Sequence, residues 1–306
     1  MKRTDATAGP EGTAPKPPPR DLRLPLAALG YLTPALVLLA VFLVYPVIQT
    51  VYLSLFDASS TQYVGLRNYV FLFTSPSTLY VFRNNLLWLT LFTGATVVLG
   101  LILAVLANQV RYEAVAKALI FIPMAVSFTA AGVIWRFMYL YRPPGFEQTG
   151  VVNAVLDSFG GDPVPWIINP AVNNYALIAA GIWMWTGFAL VVISAGLKGI
   201  PTEVLEAARV DGATERQLFW YVLLPMLRPV LAVVTVTLVI NSLKVFDLVY
   251  VMTFGNYRTD VLANRMFKEM FSFGNFGRAS AVAVILLLAI VPMMAFNIRR
   301  FRREGT

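Results

Sequence analysis

The chain has 306 residues, 58% of them hydrophobic and 13% charged, against about 25% charged in soluble domains. That balance indicates a membrane protein, and a net charge of +8 placed between and beyond the apolar runs points to a lipid surface rather than nucleic acid. With no cysteine and no histidine, disulfides, thiolate zinc sites, cysteine nucleophiles and histidine general bases are excluded.

Residues 1–28 carry Pro17, Pro18 and Pro19 among Lys2, Arg3, Lys16, Arg20 and Arg23. With too few apolar side chains to offset the entropy of ordering, this segment reads as a disordered basic cytoplasmic tail. The first apolar run covers residues 29–54. A cleavable signal peptide is the competing reading, but the run is too long for one and reads as an anchor helix. Further runs at 86–108, 118–141, 175–197, 229–252 and 279–298 each approach the ~20 residues that a bilayer core requires.

Six spans place both termini on one side, and lysine and arginine choose which. If the termini are inside, the inner segments hold fifteen of them and the outer segments seven (Arg67, Arg83, Arg142, Arg258, Arg265, Lys268 and Arg278). Arg136 and Lys244 fall within spans. The positive-inside rule therefore predicts an all-α integral membrane protein with cytoplasmic termini, its six transmembrane helices within 29–298 and a second basic tail at 299–306.

Among the outer segments, 142–174 is dense in turn residues and predicts a cover over the outer mouth. Residues 255–277 have Val261, Leu262, Met266, Met270 and Phe273 at helical spacing. Arg265, Lys268 and Glu269 interrupt them, which predicts an interfacial helix rather than a seventh span.

The longest inner loop, 198–228, reads as two short helices. Thr202 is the expected N-cap of the first, with Glu203 in its first turn and Gly212 as the left-handed residue ending it. Thr214 and Gln217 have capping-box spacing for the second, which is expected to end at Pro225. A surface-lying amphipathic loop is the plain alternative.

The pattern Glu206-Ala207-Ala208, then Asp211-Gly212-Ala213, then Val222-Leu223-Leu224-Pro225 resembles the EAA motif of inner-membrane subunits of binding-protein-dependent ABC importers. The resemblance covers nearly the whole chain. "YVGLRNYVFLF" at 63–73, "LIFIPMAVSFTAAGVIWRFMY" at 119–139, "IWMWTGFA" at 182–189 and "LKVFDLVYVMT" at 243–253 are similar to elements of carbohydrate-importer permeases. "VLAN" and the closing "VPMMAFNIRRFRRE" look most like alpha-glucoside permeases, with glucosylglycerol-type permeases close behind. The chain departs from the pattern after the fifth span, where many relatives carry Gly-Gly-Pro and it has Phe254-Gly255-Asn256.

The resemblance implies a type I ABC importer permease fold in a bacterial or archaeal cytoplasmic (inner) membrane. It also implies a second homologous permease subunit, two copies of an ABC ATPase, an extracytoplasmic sugar-binding protein and a sugar of the maltose, trehalose and sucrose class. Glucosylglycerol and glycerol-phosphate are the alternative solutes. Glu206, Ala207, Ala208, Asp211, Gly212, Leu224 and Pro225 would form the ATPase-coupling loop. The chain has no G-x-x-x-x-G-K-[ST] loop, so ATP and Mg belong to the partner ATPase, and no cofactor or metal is expected on this chain.

Met124, Ser127, Trp185, Phe188, Asn241 and Ser242 are candidates for the substrate path, with helix packing as the alternative for each. Lys244 and Asp247 are three residues apart on the expected fifth span and could pair there, as a structural ion pair or as part of the path. An ion-coupled secondary carrier would need more buried carboxylates than Asp247, and a membrane enzyme would need acidic clusters. A scaffold would leave the loop pattern unexplained.

Overall fold

A computed structural model describes residues 26–304, with side chains described over 30–292. The tail expected at 1–28 lies almost wholly outside the described residues. The elements in chain order are α1 (Leu26–Leu39), α2 (Tyr45–Leu53), α3 (Arg67–Thr74), α4 (Pro76–Leu87), α5 (Thr93–Ala107), α6 (Glu113–Ala125), α7 (Phe128–Met138) and α8 (Val151–Ser158). They continue as α9 (Asn173–Lys198), α10 (Thr202–Val210), α11 (Glu215–Gln217), α12 (Leu224–Leu243), α13 (Asp247–Thr253), α14 (Leu262–Phe267) and α15 (Phe276–Glu304). No strand occurs among the described residues.

Four π turns join or extend these helices. Those at Ala40–Val44 and Leu218–Leu223 each stand two residues before a proline, Pro46 and Pro225. A proline in a regular helix clashes with the carbonyl four residues back, and the wider π turn moves that carbonyl aside.

The chain divides into two units at Ile48 and Gln49. In the first, α1 and the start of α2 form one apolar helix through the π turn, with every described side chain exposed. Such a helix is apolar all round, as a lipid-facing span is.

The second unit is built on α9, about 39 Å long at 1.5 Å per residue. It packs against α5, α6 and α12 and buries Leu177, Leu190 and Ile193. Small residues set how closely these helices cross. A Cβ on Gly100 would lie 2.4 Å from Ala189 Cβ, one on Gly187 2.5 Å from the Ile120 carbonyl oxygen, and one on Gly196 2.8 Å from Val230 Cγ2. In lipid, where apolar surface gains little by leaving water, close van der Waals packing of this kind holds helices together. A smaller cluster joins α15 to α3, α4 and α14 through Leu72, Val81, Leu262 and Val282.

Among the described residues, four helices are long and apolar enough to cross a membrane: Gly30–Leu53, Pro76–Ala107, Asn173–Lys198 and Glu215–Leu243. A fifth crossing results if α6 and α7, bent by 98° at their junction, count as one, and α15 begins with the shorter apolar stretch Phe276–Pro292. Two expected spans are therefore discontinuous. The third breaks after Ala125, where Val126 and Ser127 are extended and Ser127 Oγ accepts from the Ala130 amide at 3.2 Å, capping α7. The fifth begins earlier than expected, at Glu215, runs through Pro225 and Pro229, and stops at Leu243.

The outer segment 255–277 also differs from expectation. It does not lie on a surface: Asp260, Asn264, Lys268 and Glu269 are buried. Arg265 pairs with Glu269 at 2.7 Å, and Lys268 lies 3.7 Å from Asp260. Burial pushes the Asp260 carboxyl above its usual range and the Lys268 ammonium below its own, while each charge opposes the shift of the other.

The loop leading into this segment is conformationally costly, with Phe254, Gly255, Tyr257 and Arg258 all at positive φ. Buried asparagines hold it. Asn84 Nδ2 donates to the carbonyls of Arg258 and Asp260 at 2.8 Å each, and Asn173 Nδ2 to that of Tyr257 at 2.8 Å. Asn85 Oδ1 accepts from the Leu262 amide at 2.7 Å.

Candidate functional site

Two features stand out, one at the Lys198 end of α9 and one halfway along it. At the Lys198 end, α10 and α11 form an elbow around Gly212. Asp211, just before it, caps α10, and Gly212 has φ +83°. The Ala213 amide donates to the Ala208 carbonyl and the Gly212 amide to the Arg209 carbonyl, each at 3.0 Å, which is the Schellman pattern. Across the turn Arg209 Nε donates to Glu215 Oε1 at 2.9 Å. The pairing raises the Arg209 pKa above its ordinary value.

The capping box is present: Gln217 N donates to Thr214 Oγ1 at 3.3 Å, and the Thr214 amide donates to Gln217 Oε1 at 2.9 Å. Thr202 is the first residue of α10 rather than its cap, because Pro201 holds the extended conformation before it and no side chain caps. The second helix does not end at Pro225; the π turn Leu218–Leu223 carries it through into α12.

The elbow divides its residues by environment. Leu205, Leu223 and Ile200 pack on the main core, while Glu206, Ala207, Asp211 and Gly212 are exposed and Val210 is 87% exposed. Leu224 and Pro225 are half-buried at the junction with α12. The surface therefore presents the carboxylates of Glu206 and Asp211, a small-residue step at Ala207 and the bare Val210 side chain around the turn. Behind it, Lys117 binds Glu113, Ser194 and Asn108, and Lys198 Nζ lies 2.7 Å from Glu113 Oε1, tying α6 to the end of α9.

Halfway along α9, a cavity of about 310 Å³ opens between α9, the α12–α13 junction and the start of α7. Aromatic rings dominate its wall. Trp185 stands 6.2 Å from Phe128 and 6.5 Å from Phe92 by ring centroids, and Phe92 5.8 Å from Trp88. Gly181 makes room for the Trp88 ring, which a Cβ there would approach to 2.8 Å. The polar residues are Asn241, Ser242, Lys244 and Asp247.

Five of the expected path residues thus meet in one cavity: Trp185, Asn241, Ser242, Lys244 and Asp247. Asn241 Nδ2 donates to the Thr237 carbonyl at 2.9 Å, and the Ser242 hydroxyl donates to the Val239 carbonyl at 2.8 Å. Lys244 and Asp247 do not share a helical face and form no ion pair among the described residues. Lys244 terminates α12 and is exposed, and Asp247 opens α13.

Phe188 sits behind Trp185, edge-on at 5.6 Å, and Met124 and Ser127 lie outside the lining at the α6–α7 break. Trp88, Phe92, Phe128 and Phe246 were not singled out from the sequence. The i, i+4 spacing of Trp88 and Phe92 in an otherwise aliphatic span was the available signal.

This combination of an all-helical membrane bundle, a mid-bundle polar–aromatic cavity and an exposed helical elbow defines a permease-type membrane protein. The chain belongs to the family of binding-protein-dependent transport system inner membrane components, whose model matches residues 96–300. It is 57% identical over 274 residues to the osmoprotective compounds uptake permease protein GgtC of Synechocystis sp., covering 90% of this chain and 98% of that one. It is 45% identical over 276 residues to the alpha-glucoside transport system permease protein AglF of Rhizobium meliloti, covering 90% and 82%. A chain of a bacterial alginate ABC transporter, solved with an alginate pentasaccharide-bound periplasmic protein, shares the fold with a TM-score of 0.76 at 24% identity, over 91% of this chain and 95% of that one.

Proposed function

We propose that the chain is one transmembrane subunit of an ATP-driven sugar importer, forming half of the translocation pathway. Six apolar runs and the excess of lysine and arginine on the inner segments support a topology in which both termini and the elbow of α10 and α11 face the cytoplasm. The observation that carries the coupling is that elbow, in which the Glu206–Pro225 pattern stands on an exposed, doubly hydrogen-bonded turn. Glu206 and Asp211 offer charge to basic groups of a separate ATPase, Ala207 and Ala208 permit close approach, and Gly212 holds the bend. Closure of two ATPase copies around ATP and Mg then moves the elbows and reorients the bundles, giving alternating access around a mid-membrane site.

The site is the cavity at Trp185. Its aromatic faces suit the apolar faces of pyranose rings, and Asn241 Oδ1 and Asp247 accept from sugar hydroxyls. The likeness to AglF supports an alpha-glucoside of the maltose, trehalose or sucrose class, delivered by an extracytoplasmic binding protein and carried jointly with a second homologous permease subunit. The 57% identity to GgtC favours a second reading, a small osmoprotective solute such as glucosylglycerol.

ATP-dependent uptake of radiolabelled maltose, trehalose, sucrose and glucosylglycerol by the assembled importer tests this. The wild-type assembly takes up at least one of them, and Trp185→Ala raises the concentration for half-maximal uptake about tenfold, the equivalent of 1.4 kcal/mol. Uptake of none of the four, or uptake that needs no ATPase, contradicts the reading.

A further inference from the structure

The cavity at Trp185 is not the only concave surface along the bundle. A wider groove of about 920 Å³ opens beyond it toward the Asn173 end of α9, and α7 and α13 are the walls it shares with the cavity. On α7, Phe128 faces the cavity while Val133, Arg136 and Phe137 face the groove. On α13, Asp247 and Leu248 face the cavity while Tyr250, Met252 and Thr253 face the groove. The two helices touch where a Cβ on Gly132 would lie 3.0 Å from the side chain of Val251, itself part of the groove wall. Cavity and groove therefore lie along the same two short helices, which cross closely at Gly132.

The groove has the composition of a ligand site rather than of a lipid-facing surface. Phe137, Tyr141, Tyr250, Phe254 and Tyr257 supply aromatic faces. Arg136 and Asn256 supply the polar groups, and both side chains are exposed without a bond among the described residues. An unpaired guanidinium with five donors and an unpaired amide with donors and acceptor match the vicinal hydroxyls of a sugar. A concave space of this size, lined by aromatic rings with a few free polar groups, falls in the range of small-molecule sites.

Phe254, Asn256 and Tyr257 owe their placement to the left-handed loop that the buried asparagines Asn84 and Asn173 hold. Backbone strain persists only where surrounding structure imposes it, and here it points aromatic and amide groups into the groove.

We propose that this groove is a second carbohydrate subsite, which takes a sugar ring on its way to the cavity at Trp185, with the Phe254–Arg258 loop as its selectivity element. The proposal rests on the sugar-import reading above and adds a site to it. Arg136 and Asn256 bind the hydroxyl edge of the ring, and the tyrosine and phenylalanine faces cover its apolar face. The second permease subunit need not supply any of these groups.

Equilibrium binding of radiolabelled maltose and radiolabelled glucosylglycerol to the assembled importer in lipid nanodiscs tests it, using Arg136→Gln, Asn256→Ala and Trp185→Ala. Arg136→Gln and Asn256→Ala each weaken one component of sugar binding about tenfold, and Trp185→Ala leaves that component within about twofold. Because neither Arg136 nor Asn256 makes a side-chain bond among the described residues, both variants keep the wild-type thermal midpoint, and Arg136→Lys restores part of the affinity. Wild-type sugar binding in both groove variants overturns the proposal while leaving sugar import intact. Unchanged sugar binding with loss of ATPase stimulation by the loaded binding protein also overturns it, since the groove then docks a protein. A wild-type assembly that takes up none of maltose, trehalose, sucrose and glucosylglycerol overturns the import reading itself.

Discussion

Gly212→Val is expected to cut ATP-driven uptake more than about tenfold in a chain that still folds and inserts. Gly212 has φ +83°, where a non-glycine residue costs about 1–2 kcal/mol and a β-branched one more. Nothing lies within 4 Å of a Cβ built there, so the effect comes from the backbone and not from a clash. The valine pulls the residue out of the left-handed region and breaks the two 3.0 Å bonds from Gly212 and Ala213 that close the elbow. Uptake and co-purification of the ATPase both fall more than about tenfold, the effect of 1.4 kcal/mol or more. Gly212→Asn, which tolerates the left-handed region, stays within about threefold of wild type. A Gly212→Val variant that transports normally removes the coupling role of the turn.

Gly187→Ala destabilises the chain, against the usual preference of helices. Replacing a mid-helix glycine by alanine ordinarily stabilises by up to about 1 kcal/mol. At Gly187 the new Cβ would stand 2.5 Å from the Ile120 carbonyl oxygen and 2.7 Å from Phe121 Cα, both backbone atoms of α6 that can move only with their helix. Overpacking of this kind costs about 1–3 kcal/mol, so the clash outweighs the propensity. Gly94 in α5 provides the opposite case: nothing lies within 4 Å of its Cβ, and Gly94→Ala raises stability. Thermal midpoints of the two variants in lipid nanodiscs move in opposite directions. A Gly187→Ala variant as stable as wild type contradicts the close α6–α9 crossing.

Local chemistry was the legible part of the sequence. Gly212 as the left-handed end of α10 and the Thr214–Gln217 capping box depend on residues within a few positions of each other, and both stand as read. Hydropathy likewise located the apolar runs, because their composition alone makes them long and greasy. Pro123 marks the bend in the third run, which breaks after Ala125, but the break inside the fifth run was not legible. The geometry of the first break depends on Ser127 capping α7, and the course of the fifth run on a π turn that absorbs a proline normally read as a helix end.

The outer segment was misread for a related reason. Its charges at helical spacing suggest a surface helix, but Asp260 and Lys268 are buried against each other, and asparagines from α4 and α9 hold the loop before them. Nothing near residue 260 announces partners that lie so far away in the chain. The cavity was half legible: Trp185 and Asn241 stood out as unusual groups on apolar spans, while Phe128 and Trp88 look like ordinary core residues until the fold brings them together.

Because the chain contains no cysteine, a single introduced one reports a single position. Val210→Cys, 87% exposed in the wild-type residue at the elbow, and Tyr63→Cys, 69% exposed in the segment between α2 and α3, can each be treated with a short thiol-to-amine cross-linker in the assembled importer. If the elbow is where the ATPase docks, Val210→Cys yields a covalent permease–ATPase product whose formation stops ATP-driven uptake, and Tyr63→Cys yields none. A product at Tyr63→Cys with none at Val210→Cys would contradict the coupling role assigned to residues 206–225.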